Sequence, residues 1–256
     1  MPSTANSDIS DSAGVSLAPF FSALRHYRRH SPCSTVHTPR AASIRVTRFD
    51  APDRAIYNSG SMNVTVFYDY NCPFCYIASR RLTLLSGEFD LSIEWKGIEI
   101  HPEFPPEGAK RGRSVKSLVL REMMGEAAGE EGIEIRSPGF AANSRLALEA
   151  SEFAKTDGRF ATFHYAVYEA YFGEGLNIGK PDVLLSIGER AGIDPKGLAD
   201  SLESRSMRGA VESNEREATM YTVLGVPTFI LGSFPVHGCQ PLETMRAMIE
   251  RAISRL

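Results

Sequence analysis

Polar and apolar residues alternate along Val64-Thr65-Val66-Phe67-Tyr68, and after a short gap apolar residues recur at Phe74, Ala78, Leu82 and Leu85. The first period is that of a strand and the second that of a helix, which Ser86-Gly87 is suited to stop. The strand carries apolar residues on both sides and is expected to be buried on both. A second period-two run, Leu91 to Lys96, is interrupted by Gly97 and continues through Ile98-Glu99-Ile100 to His101-Pro102-Glu103. Two strands joined by one helix of this length read as a βαβ unit, with parallel strands and a right-handed crossover.

The segment 104–113, rich in Pro and Gly around Lys110, Arg111 and Arg113, reads as a loop. From there the pattern is helical for about a hundred residues. Val115 to Ala128 carries helical spacing, Asn143 can cap a helix through Ala154, and Phe160, Phe163, Val167 and Tyr171 extend the period. Pro181-Asp182 starts a helix that ends near Gly192, and Asp194-Pro195 starts a short one through Leu202. No strand pattern separates these helices, so 109–205 is expected to be a helical subdomain inserted between 62–108 and 206–256. The last fifty residues return to an α/β pattern. A helix from Met207 to about Val223 leads through Leu224-Gly225-Val226-Pro227 to the strand Thr228–Leu231. Gly232-Ser233 turns the chain into Phe234-Pro235-Val236-His237, which Pro235 restricts to a sheet edge. Leu242, Met245, Ile249, Ala252 and Ile253 then mark an amphipathic helix for the sheet to cover.

Composition changes this picture at one place. Residues 1–61 hold seven Arg and four Asp with neither Lys nor Glu, a charge of +3, whereas 62–256 hold 21 basic and 27 acidic residues, a charge of −6. A segment so poor in periodic apolar residues reads as a disordered extension, or as an Arg- and Ser-rich transit peptide, and it contains Cys33. The whole chain, 256 residues at 43% hydrophobic content and net charge −3, is ordinary for a globular protein. It shows no long basic run for nucleic acid and no apolar run of the ~20 residues that cross a bilayer. Four cysteines, at 33, 72, 75 and 239, are too few and too scattered for a disulfide-stapled scaffold. With no basic segment ahead of the stretch Val15 to Leu24, a cytoplasmic location is expected.

The chemistry lies between the first strand and its helix. Cys72-Pro73-Phe74-Cys75 sits where unpaired backbone N–H groups and the positive end of the helix dipole favour a thiolate. Pro73 occupies a position where a missing N–H costs nothing. The N-terminal Cys72 is expected to be the exposed nucleophile and Cys75 the enclosed resolving thiol that releases a mixed disulfide. A Cys-x-x-Cys bounded by a strand and a helix in a reducing compartment is a thioredoxin-like redox motif. A closed zinc site would need two further ligands that no second such pair supplies. Asp69 or Glu94 could accept the Cys75 proton, with Lys96 paired to either, although solvated strand ends are the plainer reading. His101, His164 and His237 show no ligand spacing. His164 shares an apolar face with Phe160 and Phe163, which suits a hydrogen-bonded core histidine, and Phe163, Tyr165, Tyr168, Tyr171 and Phe172 read mostly as core with part lining a groove.

Strand, Cys-Pro-Phe-Cys helix, strand, helical insertion, then Gly225-Val226-Pro227-Thr228 and a hairpin resembles the DsbA-like branch of the thioredoxin superfamily, within it the FrnE-like group. Phe67-Tyr68-Asp69-Tyr70, Glu94-Trp95-Lys96 through His101-Pro102-Glu103, and Asn143-Ser144-Arg145 carry the same likeness, over about 62–256. The resemblance implies a thioredoxin-like fold with a large helical insertion and a cis bond before Pro227 facing the cysteines. It implies a substrate-binding surface of Val226, Pro227, Pro73, Phe74 and Gly238, and a thiol–disulfide oxidoreductase acting on a protein or small molecule. No metal or bound cofactor is implied, with glutathione as co-substrate. The related 2-hydroxychromene-2-carboxylate isomerases, glutathione-dependent and with serine at the position of Cys72, make an isomerase or S-transferase the alternative. A chaperone or binding module is a third. Cys239 stands where the family commonly has a small residue such as Ala, and reads either as a packed apolar substitute or as a redox modulator within reach of Cys72.

Overall fold

The computed structural model describes residues 61–110, 115–133, 135, 136 and 138–255, all within one unit of the chain. The expected extension, with Cys33, lies outside the described residues except for Ser61.

The first strand, β1, runs from Met62 to Tyr68, and the cysteine helix, α1, from Pro73 to Ser86. The second strand, β2, covers Leu91–Gly97 and pairs with β1 in parallel, Met62 opposite Leu91 through Tyr68 opposite Gly97. The strand therefore ends at Gly97 and does not continue through Ile98–Ile100. The last bond of the ladder runs from the Ile98 N–H to the Tyr68 carbonyl at 2.9 Å, and beyond it the Ile100 N–H turns to the Asp69 carboxylate at 2.9 Å.

The loop expected over 104–113 contains a two-residue strand, β3 (Ala109–Lys110), which follows β2 and pairs antiparallel with β4 (Phe140–Ala141). The region between β2 and the next strand of the main sheet is thus not wholly helical. It holds α2 (Val115–Glu130), α3 (Arg145–Thr156), α4 (Phe160–Tyr168) closed by a π turn over Glu169–Gly173, α5 (Pro181–Ala191), α6 (Pro195–Ser204) and α7 (Arg208–Met220). Local chemistry explains several of these ends. Pro181 and Pro195 open their helices at positions whose N–H is free in any case. The Asp194 carboxylate caps α6 by accepting the Gly197 N–H at 2.8 Å. Gly192 closes α5 at φ 76°, a left-handed cap that suits glycine.

The chain then forms β5 (Thr228–Leu231), β6 (Phe234–His237) and α8 (Leu242–Ile253). The main sheet has the order β2-β1-β5-β6, with β5 antiparallel to β1 and β6 at an edge, where Pro235 is tolerated. Among the described residues no helix is long and apolar enough to cross a membrane.

Met62, Val64 and Val66 point to one face of the sheet, where Ala78, Leu82 and Leu85 of α1 and Met245 and Ile249 of α8 cover them. On the opposite face, among the described residues, cover is confined to the far end of β1, where Phe67 meets Ile98, Ile230 and Ala218 of α7. Asn63 is exposed and Thr65 half-buried, so β1 is buried on both faces in its second half alone. A third and larger cluster begins at Tyr68, Tyr70, Cys72, Cys75 and Tyr76 and runs into α3, α4, α5 and α6. Each large apolar side chain fully buried in these layers contributes about 1.5–3 kcal/mol. The cysteine helix therefore lies between two cores.

Candidate active site

The site assembles because β5 runs antiparallel to β1. Phe67, near the carboxyl end of β1, pairs with Thr228, the first residue of β5. The residues that follow β1 and those that precede β5 must therefore emerge at the same end of the sheet. The first group is Asp69 to Cys75 and the second is Val226-Pro227, whose peptide bond is cis.

Cys72 is the N-cap of α1, with extended backbone (φ −99°, ψ 112°), Pro73 follows at the first helical position, and the Cys75 N–H bonds to the Cys72 carbonyl at 3.1 Å. The Cys72 thiol donates to the Val226 carbonyl at 3.6 Å, across 154 positions of sequence. Cys72 is 8% exposed and Cys75 1%. The order of access is that expected, but Cys72 is more covered than an exposed thiol. Burial holds the Cys75 thiol well above the usual cysteine range, and the neighbouring Cys72 adds to this, so Cys75 rests as a neutral thiol. Pro73 and Phe74 are half-buried, and Phe74, like Ile133 and Ile135, packs against the cluster of Ile77, Met124 and Ala128. The Gly238 N–H bonds to the Pro227 carbonyl at 2.8 Å with Gly238 at φ 78°, a backbone conformation that favours glycine.

Asp69 secures the turn before Cys72. Its carbonyl accepts the Cys72 N–H at 3.2 Å and the Tyr168 hydroxyl at 3.2 Å, and its carboxylate accepts the N–H groups of Asn71 at 3.0 Å and Ile100 at 2.9 Å. The residue is fully buried, not solvated at a strand end. Burial raises its pKa, opposed by the hydrogen bonds to Ser144, Asn71 and Ile100. Glu94 is exposed and pairs with Lys96 at 2.7 Å, and Lys96 also reaches Glu217 at 2.8 Å. Glu94 is thus occupied on an outer face of β2 and does not serve the cysteines.

His164 is buried, and its bonds follow from donor accounting. Ser79 spends its hydroxyl proton on the Cys75 carbonyl at 2.8 Å, so it can only accept from His164 Nε2 at 3.1 Å. His164 Nδ1 then accepts from the Tyr70 hydroxyl at 3.1 Å, and the Tyr70 oxygen accepts in turn from the Ser151 hydroxyl, whose proton is shared with the Ala147 carbonyl at 3.1 Å. A continuous hydrogen-bonded chain thus ties α3 and α4 to the first turn of the cysteine helix. Burial pushes the His164 pKa down to about 3, with Lys155 adding to the effect. His101 is an exposed neighbour of Glu103, and His237 contacts the Thr228 hydroxyl at 3.1 Å. Of the aromatic set, Phe163, Tyr168, Tyr171 and Phe172 are core and Tyr165 is partly covered. Among the described residues no group of three His, Cys, Asp or Glu side chains could hold a metal ion.

Cys239 packs beside Ile77, Met124 and Ala128, and Arg81 Nη1 donates to its sulfur at 3.5 Å. Burial pushes its pKa up to about 12, against the opposing Arg81 charge, and the charge of a Cys72 thiolate adds to the rise. Cys239 is thus protonated at neutral pH.

The order of these parts matches one family profile, the DSBA-like thioredoxin domain, over residues 63–250. The chain belongs to the DsbA-like thioredoxin family. An uncharacterized protein of Bacillus subtilis strain 168, YwbO, is 28% identical over 200 residues, 76% of this chain and 96% of that protein. A 2-hydroxychromene-2-carboxylate isomerase of Pseudomonas putida is 26% identical over 199 residues, 76% of this chain and 96% of the isomerase. Among solved structures, a probable DsbA oxidoreductase of Streptomyces coelicolor, SCO1869, superposes with a TM-score of 0.70 at 22% identity, covering 76% of this chain and 91% of that one. The cytosolic disulfide reductase DsbM of Pseudomonas aeruginosa, in a structure with glutathione, superposes with a TM-score of 0.56 at 19% identity, covering 75% of this chain and 96% of that one. These two likenesses establish the DsbA-like fold.

Proposed function

We propose that this protein is a thiol–disulfide oxidoreductase that exchanges disulfides through Cys72 and Cys75. Its substrate is a disulfide- or thiol-containing protein or small molecule, glutathione is its co-substrate, and a reducing compartment such as the cytoplasm is its setting. The observation that carries this reading is the Cys72 thiol at a helix N-cap, 3.6 Å from the carbonyl that precedes a cis proline, with Cys75 one turn behind. The Cys72 thiolate attacks one sulfur of a substrate disulfide, forming a Cys72–substrate bond as the other substrate sulfur leaves and takes up a proton. Cys75 then loses its proton and attacks Cys72 Sγ. The Cys72–Cys75 disulfide forms and the second substrate thiol departs, so the substrate gains two electrons and two protons. Two glutathione thiols restore the dithiol by the reverse chemistry, ending as glutathione disulfide. The glutathione bound to DsbM supports this co-substrate by analogy of fold.

A second reading is favoured by the Pseudomonas putida relative, whose isomerase is covered almost end to end. In that reading Cys72 would stand where the reaction uses a hydroxyl, and Cys75 would be dispensable. A Cys75→Ser variant separates the two. Disulfide-linked clients on Cys72, mapped by mass spectrometry, are the expected result. Undiminished turnover of a small glutathione adduct by that variant, with no trapped thiol, would overturn dithiol exchange in favour of the isomerase or transferase.

A further inference from the structure

Arg81 is a buried arginine on the cysteine helix, 2% exposed, four residues beyond Ile77 and on the same apolar face. Burying a guanidinium is costly unless every N–H finds an acceptor. Arg81 finds them in two places. Nε donates to Glu131 and Nη2 to Glu130, each at 2.7 Å, at the end of α2. Nη1 turns the other way, to the Gln240 carbonyl at 2.8 Å and the Cys239 sulfur at 3.5 Å. The buried Glu131 carboxylate balances the charge, and Glu130 adds a bond from the exposed side. The bonds to a neutral carbonyl and a neutral thiol balance none of it, and their effect is to fix the 238–241 loop.

That loop leads back to the cysteines. Gly238 donates its N–H to the Pro227 carbonyl at 2.8 Å, and the Val226 carbonyl on the other side of the cis bond meets Cys72 Sγ at 3.6 Å. A closed circuit results: from Cys72 down α1 to Arg81, across to Gln240, along the loop to Gly238, on to Pro227 and back to Cys72. We propose that Arg81 is a positioning residue for the dithiol centre, anchoring the 238–241 loop to the cysteine helix so that Val226-Pro227 stays set against Cys72. This inference rests on the dithiol reading of Cys72 and Cys75. Arg81 touches neither the reacting sulfurs nor a substrate, and acts through the loop.

The test uses the full chain with Arg81→Met, and with Arg81→Met combined with Glu131→Gln. The double variant removes both members of the buried pair, so no lone carboxylate is left in the core if the single variant folds poorly. Glu130→Gln, at the exposed carboxylate, is the control and keeps the Gln240 contact. In the Arg81 variants, amide hydrogen exchange over 236–241 is expected to speed up about tenfold while strand 62–68 keeps its protection. The rate constant for the reduced protein with a disulfide-bonded peptide is expected to fall about tenfold, because the loop that aligns an extended chain is displaced. Alkylation of Cys72 by iodoacetamide, which needs an accessible thiolate but no aligned peptide, should change less than about twofold. A folded variant with unchanged loop exchange and unchanged peptide rate would overturn the proposal. So would a loss of all rates in proportion to the unfolded fraction, which marks a stability role alone. If the wild type exchanges no disulfide, the functional reading fails, and hydrogen exchange still decides whether Arg81 anchors the loop.

Discussion

Replacing His164 by Leu should change how stability depends on pH, not only its value at neutrality. His164 is held neutral in an aromatic cage whose ring centroids lie 4.8 Å away for Tyr68 and Trp95 and 5.0 Å for Phe160 and Tyr168. Its pKa is about 3 in the folded protein against 6.5 for a free histidine. The folded state therefore binds fewer protons than the unfolded state between these values, and stability falls as pH falls through that window. At 1.36 kcal/mol per pKa unit the full loss is about 5 kcal/mol, of which about 2.5 kcal/mol is incurred between about pH 7 and about pH 4.5. Asp69 and Glu99, whose pKa values burial raises, contribute with the opposite sign and cancel when wild type and variant are compared at each pH. At neutral pH the Leu variant should be less stable, since the hydroxyls of Tyr70 and Ser79 lose their imidazole partner. Urea unfolding across this range should show that deficit shrinking by about 2.5 kcal/mol on acidification. A deficit constant to within about 0.5 kcal/mol would refute the buried neutral imidazole.

Other substitutions probe the frame around the site. A Cβ at Gly179 would lie 2.9 Å from the Pro106 carbonyl oxygen and 3.1 Å from that of Asn143, so Gly179→Ala should lower stability by about 1–3 kcal/mol in the same unfolding assay. Arg205→Ala strips the buried Glu149 carboxylate of bonds at 2.6 and 2.7 Å and should cost about 2 kcal/mol, less than a fully buried pair because Arg205 is 43% exposed. Brief iodoacetamide treatment at about pH 8 should label Cys72 and spare Cys75 and Cys239, whose thiols burial keeps protonated, with peptide mapping as the check.

The elements with strong local chemistry were legible in the chain itself. The alternation of β1, the cysteine helix with its Pro73 start, the Pro-initiated α5 and α6, and the β5–β6 hairpin all follow from residues close together in sequence. What local pattern could not reveal depends on distant partners. β3 and β4 are two residues each, too short for any period, and exist because Ala109 and Ala141 meet. Ile98–Ile100 has the period of a strand, yet the Asp69 carboxylate takes the Ile100 N–H and ends the ladder. The covering of Cys72 comes from Val226, more than 150 positions away. In the sequence Arg81 reads as an ordinary charged residue on a helix. Its signal was its place four residues from Ile77 on one side and from Leu85 on the other, along a stripe that is otherwise apolar. Tyr70 and Ser79, which hold His164, carry no motif and became visible only through their hydrogen bonds.

The most direct test of a Cys72–Cys75 dithiol centre is a glutathione redox titration of the full chain, read by mass spectrometry after acid quenching. A single two-electron transition is expected, ending in a disulfide that joins Cys72 to Cys75 while Cys239 stays free. A chain that remains fully reduced against oxidised glutathione, or a disulfide that joins Cys72 to Cys239 instead, would contradict it.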